Sequence, residues 1–240
     1  MGLFSTTLHI YKKDQSEIID NLKKVLIEQK LKTFSKIEVT SDSFHNVLKS
    51  EVNGNSGVFY LITERFDNWT TIVELNVYLD EPFYLYELAN ALSDKLGTYT
   101  LSLHLHDDDV LLYNLEHMGM SVDGYNSNVQ YFENEPLSKT AIIAQRHEPE
   151  KFFEILPPNK SSDGLNEILN RGYWQAFDND ALDSDGLPND EKYDAIEEDR
   201  LTEIAKYLEI FSAENFPFAN WYDEVPKLDL SKYYLLRADF

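Results

Sequence analysis

The residues best suited to chemistry are His104-Leu105-His106-Asp107-Asp108-Asp109. On a strand, residues two apart point to the same side, so His104 and His106 project together, with three carboxylates at the turn beside them. Imidazole and carboxylate so placed suit a zinc or iron ion, with His104, His106 and Asp108 as ligands. The same string has a plainer reading. Leu101, Leu103 and Leu105 form a buried face, Ser102, His104 and His106 the wet one, and the aspartates a turn. A second cluster runs from Asp178 through Asp180, Asp183 and Asp185 to Gly186, followed by Asp190 and Glu191. Hard carboxylates two apart, with a glycine for a sharp bend, are what a calcium loop needs. An EF-hand frame fails, because Gly186 at the sixth position puts Ala181 at the first and Lys192 at the twelfth. A solvated acidic loop is the expectation.

Two family patterns touch these clusters. His104 to Asp109 resembles the His-x-His-x-Asp-His loop of metallo-β-lactamase-type hydrolases, with Asp109 standing where the last histidine belongs and a hairpin strand following at once. The Asp183-Ser184-Asp185-Gly186 stretch with Asp190 resembles a single thrombospondin-type calcium repeat, a motif that comes in arrays. The chain carries no Gly-x-Ser-x-Gly elbow, no Gly-rich phosphate loop and no dinucleotide fingerprint. With no cysteine there is no disulfide framework, thiolate zinc site or cysteine nucleophile.

Charge decides what can approach. The 240 residues hold 43 acidic against 21 basic side chains, a net charge of −22. The excess is local: residues 99–138 carry seven acids and no Lys or Arg, and residues 174–199 carry ten acids and one Lys. Such a surface repels nucleic acid and anionic lipid and favours cations. The one basic group, Lys12, Lys13, Lys23, Lys24 and Lys30, falls on the solvent side of the first helix. Hydrophobic content of 42% and aromatic content of 13% require a packed body beneath the acid. No apolar run is long enough to span a bilayer, and no signal-peptide layout opens the chain, so the expected compartment is the cytoplasm. Met1 to Thr6 matches a short myristoylation pattern, but Phe4–Tyr11 reads as a strand.

The elements that must position these residues follow from periodicity. Asp14 caps a helix over 15–30, with Glu17 as its capping-box partner. Strands follow at Phe34–Val39, Val58–Glu64 and Thr70–Leu79, with a polar loop around Asn53–Gly57 and a hairpin at Asp67-Asn68. Pro82 opens a second helix with Leu85, Leu88, Ala89 and Leu92 on one side and Gly97 as its stop. Thr98–His106, Val110–His117 and Met120–Tyr125 form a meander. The order β-α-β-β-β-α-β-β-β predicts an α+β fold, an antiparallel sheet with two helices packed on one face. From Pro136 the spacing becomes mostly helical and ends in an aromatic tail, with Phe216, Phe218, Trp221, Tyr233 and Leu235 docking back. The expected organisation is a sheet domain at 1–135 and a helical region at 136–240, separate or packed on the first as one unit.

The run Leu92-Ser93-x-x-Leu96-Gly97-Thr98, His106 to Leu115, Gly119-x-x-Val122-Asp123-x-Tyr125-Asn126-Ser127 and Tyr131-Phe132 resembles an uncharacterised family of bacterial proteins. That resemblance implies a shared fold segment and a bacterial origin, and no activity. The functional expectation is a non-enzymatic, immunity-protein-like module that needs no cofactor and binds a cationic protein partner. Its interface would comprise Asp107, Asp108, Asp109, Asp178, Asp180, Asp183 and Asp185, with Tyr125, Tyr173 and Trp174 as aromatic anchors. The alternative is a metal-dependent enzyme or metal-binding domain on His104, His106 and the neighbouring acids.

Overall fold

The computed structural model describes residues 5–37, 57–74, 84–107, 109–193, 196–210 and 232–239. Asn53–Gly54, Pro82, Asp108, Phe216, Phe218 and Trp221 lie outside the described residues. The structure is α+β, built on an eight-stranded antiparallel sheet. The strands are β1 Ser5–Tyr11, β2 Thr33–Ile37, β3 Gly57–Thr63, β4 Trp69–Glu74, β5 Tyr99–His106, β6 Val110–His117, β7 Met120–Asn126 and β8 Tyr233–Asp239. They are ordered β2-β8-β3-β4-β1-β5-β6-β7.

Two of the described helices cover one face. In α1, Gln15–Glu28, the residues Ile18, Ile19, Leu22, Val25 and Leu26 are buried at helical spacing. In α2, Tyr84–Leu96, the buried stripe is Leu88, Ala89, Leu92 and Leu96. Both stripes pack against Leu8, Ile10, Ile62 and Ile72 of the strands. Gly97, at φ 59, ends α2 in a left-handed turn that glycine adopts without a Cβ clash. The capping box does not form. Asp14 is the N-cap residue of α1 but makes no side-chain cap bond; its carboxylate pairs with Arg65 at 3.1 Å, and Glu17 pairs with Lys13 at 2.9 Å.

The opposite face is covered too, by α3 Lys139–Ile143, α4 Ser162–Leu169, α5 Tyr173–Asp178, α6 Glu197–Tyr207 and a 3-10 turn at Pro149–Phe152. Phe152, Leu165, Leu169, Trp174, Leu201 and Ile204 join Leu101, Leu103, Leu105, Leu111 and Leu115 in one core. Covering the sheet twice overturns the wet face expected on β5. Ser102 and His104 are as buried as the leucines between them, because they lie on the side that α1 and α2 cover. Their polar atoms are satisfied locally, as are their neighbours': Thr100 Oγ1 donates to the Ala89 carbonyl at 2.9 Å, and Ser102 Oγ donates to the Asn114 carbonyl at 3.4 Å.

β8 sits between β2 and β3, pairing Leu235 with Leu61 and Ile37, and Leu236 with Tyr60 and Lys36. Tyr233 and Leu235, expected as a docking tail, are thus part of the sheet itself. Leu235 faces the core under the later helices, and Leu236 and Ala238 face α1 and α2.

Candidate functional site

Strand geometry brings His104 and His106 to one side, their ring centroids 6.0 Å apart. His104 is buried, with Nδ1 hydrogen-bonded to Thr6 Oγ1 at 2.6 Å across the β1–β5 ladder. His106, at the strand end, packs edge-on against Phe132 at 5.1 Å and Tyr131 at 5.8 Å. Among the described residues no group of three His, Asp or Glu side chains is gathered where an ion could sit. Asp108 lies outside those residues. Asp107 bends the chain at φ 53, and Asp109 Oδ2 accepts the Tyr131 hydroxyl at 3.3 Å. A third histidine that sequence reasoning passed over, His9, is fully buried between Thr7 Oγ1 and Thr71 Oγ1, each at 2.8 Å. Burial holds its pKa down to about 3, so it is a neutral core residue.

The acidic loop meets the protein's own cations. Asp178 accepts two bonds from Arg146, both at 2.7 Å, and Asp180 accepts from Lys139 at 2.5 Å. Asp183 Oδ1 takes the backbone N–H groups of Asp185 and Leu187, at 2.9 and 3.0 Å, closing a turn that the Leu182–Pro188 bridge completes. Asp190 accepts the N–H of Lys192 and pairs with its ammonium, contacts that draw its pKa below the usual range. These carboxylates point to four different partners. Calcium would need them to converge.

The two acidic segments meet through one buried glutamine. Gln130 Nε2 donates to the Glu135 carbonyl at 3.0 Å, and its Oε1 accepts from the Leu137 N–H at 2.9 Å. The same side chain lies against Gly186, so close that a Cβ there would fall 2.8 Å from Oε1. Gly186 also carries φ 78, so both backbone and space require glycine. The next residue, Tyr131, bonds to Asp109. Asp109, Tyr131, Phe132, Glu133, Glu135, Asp183 and Asp185 are all exposed, on two segments that meet at Gln130 and Gly186. Phe132 is 50% and Tyr131 37% exposed there.

The aromatic anchors expected from sequence are elsewhere. Trp174 is fully buried, its Nε1 donating to the Asn126 carbonyl at 2.8 Å, with Arg146 stacked over its ring at 5.3 Å. Tyr173 is buried beside it. Tyr125 is buried as well; its hydroxyl donates to the Leu169 carbonyl at 2.9 Å and accepts from Arg200 at 2.5 Å. Burial raises its pKa, against the Arg200 charge. These three rings are core, Tyr125 on β7 and Tyr173 and Trp174 on α5, which turns them toward the sheet, and they offer no contact surface in this structure. Arg200 is paired within the interior with Glu197 at 3.3 Å. Burial pushes Glu197 up to about 7, opposed by Arg200 and by a Ser127 hydrogen bond. His147, T-shaped against both Tyr125 and Trp174, is held at about 4 by burial. Tyr131, Phe132 and Gln130, which do shape the surface, carry one sequence signal: an aromatic pair outside any helix or strand period, directly followed by acids.

Two depressions are lined by the described residues. One, about 390 Å³, runs along β7 past Gly124 and Arg146. Its Asp123 carboxyl accepts the Tyr113 hydroxyl at 2.6 Å and the Glu148 N–H at 2.9 Å. The other, about 370 Å³, lies between α3 and the acidic loop.

No family model, curated protein or solved structure matches the chain. None of the described helices is long and apolar enough to cross a membrane.

Proposed function

We propose that this chain is a non-enzymatic binding protein that captures a cationic protein partner on the face running from Asp109 to Asp185. Bacterial immunity proteins that neutralise basic toxins work in this way, and the cytosol is the compartment proposed. The observation that carries the reading is the joining of two acidic segments around exposed Phe132 and Tyr131. Residues 99–138 contribute no Lys or Arg to dilute that field. A partner's basic patch would be drawn in by long-range attraction, which raises association rates by about 10–10³-fold at low salt. Phe132 and Tyr131 then supply the desolvated aromatic contact on which most binding energy concentrates. Arg or Lys from the partner could stack on these rings while pairing with Asp109 or Glu133.

The test is capture at low salt, identification of the retained protein, and re-measurement with the variant Asp109→Lys/Asp185→Lys/Phe132→Ala. The expected result is one basic partner whose association slows with salt and whose affinity falls at least ~30-fold in the variant. Retention of every basic protein alike, or unchanged affinity in the variant, would overturn the reading.

A further inference from the structure

The depression of about 370 Å³ beside the acidic loop has an apolar floor made by Leu137, Ile142, Phe177 and Leu182. Its other lining is charged: Lys139 and Asp180, paired with each other at 2.5 Å, with Asp183 adjoining. We infer that it is the anchor socket of the acidic face and takes a single apolar side chain, of leucine or methionine size, set between Lys or Arg residues on the partner. This rests on the binding reading above and adds the chemistry of the segment recognised.

Three observations carry it. The socket shares a wall with the acidic surface, since Gly186 lines the socket and lies against Gln130, the residue before Tyr131. An apolar side chain seated there therefore has the Asp180 and Asp183 carboxylates beside it. Second, the volume is small. Ligand pockets run from about 300 to 1,000 Å³, so this one suits a side chain and no large ligand. Third, the chain already places an ammonium group at the rim. The Lys139 and Asp180 side chains are 75% and 78% exposed, so little holds that pair together against exchange. A partner lysine can take the place of Lys139 over Asp180 while its neighbour fills the floor. Without the apolar residue a basic segment would leave the floor wet. Without the basic residues an apolar segment would leave the rim acids with nothing to pair.

The experiment uses the full chain and two labelled synthetic peptides, Gly-Lys-Lys-Leu-Lys-Lys-Gly and the same peptide with Ser for Leu, read by fluorescence anisotropy at low salt. The Leu peptide is expected to bind about tenfold more tightly, as burial of a leucine side chain allows. Ser184 lines the socket and is exposed, so Ser184→Trp fills it from the solvent side. That variant should unfold at the wild-type temperature, erase the preference for Leu and leave the Ser peptide's affinity unchanged. Asp109→Lys/Asp185→Lys should weaken both peptides. Equal binding of the two peptides, or a Leu preference that survives Ser184→Trp, would overturn the socket while leaving the acidic face standing. Failure of both peptides to bind wild-type protein would overturn the socket and the acidic face together.

Discussion

Replacing His9 with Gln should make the protein less stable at neutral pH and more stable than wild type in acid. His9 is fully buried on β1, with both ring nitrogens bonded to threonines at 2.8 Å. Its pKa is about 3 in the folded chain against an ordinary 6.5. Because the folded value is depressed, the unfolded chain binds the extra proton first. The neutral ring's contribution is present in full above pH 6.5 and is lost as pH falls from there toward 3. The slope is about 1.4 kcal/mol per pH unit, and the whole interval is worth about 5 kcal/mol, a large part of a typical folding free energy. Glutamine is neutral throughout and can reach one threonine well and the other poorly, which costs about 1–1.5 kcal/mol at pH 7.5. The two stability curves should therefore cross about one pH unit below 6.5. Urea unfolding at half-unit steps from pH 7.5 to 4.5, monitored by tryptophan fluorescence, gives both curves. Parallel curves would refute the argument, because they would mean that His9 takes up its proton as readily folded as unfolded.

Glu197→Ala should cost about 3–5 kcal/mol by leaving the Arg200 guanidinium buried without its countercharge, whereas Glu197→Leu/Arg200→Met should recover most of that in the same urea assay. Wild-type stability should also carry an opposing slope from Glu197, whose raised pKa of about 7 favours the native state below the ordinary 4.5 and withdraws that support as pH rises through 7. Glu197→Leu/Arg200→Met should abolish this fall, so that stability climbs more steeply than in wild type between pH 5 and 6.5, where the His9 slope then stands unopposed, and levels off above. Saturating calcium or zinc, compared with chelator in a thermal melt, should shift the midpoint by less than about 1 °C, since Asp178 and Asp190 pair with Arg146 and Lys192 and Asp183 Oδ1 with backbone N–H groups, so the carboxylates do not converge. A rise of several degrees would restore a metal site.

The helices α1 and α2 and the β5–β7 meander are legible in the sequence because each repeats apolar residues at its own period and ends on a turn residue. β8 is not. Tyr233-Tyr234-Leu235-Leu236-Arg237-Ala238-Asp239 lacks alternation, since both of its faces are covered, and nothing local names a partner as distant as β2. The same double cover hid His104 and Ser102. Alternation of Leu with polar residues ordinarily marks a half-wet strand, but these polar groups find internal hydrogen bonds. Tyr173 and Trp174 look like contact residues beside an acidic loop, and only the way α5 turns toward the sheet makes them core. The acids themselves were visible, but not that Arg146 and Lys139 neutralise Asp178 and Asp180.

The place of β8 has a consequence for how the chain is made. Thr33 of β2 and Asp239 of β8 are neighbours, yet 206 residues separate them. On a chain emerging from the ribosome in order, β3 has an open edge and β2 lacks its β8 neighbour until residues 233–239 arrive. Completion of the sheet is therefore a late event, slow by its contact order and vulnerable to strand pairing between nascent chains. Loss of those seven residues would also remove an interior strand, leaving β2 without its neighbour and β3 with an open edge.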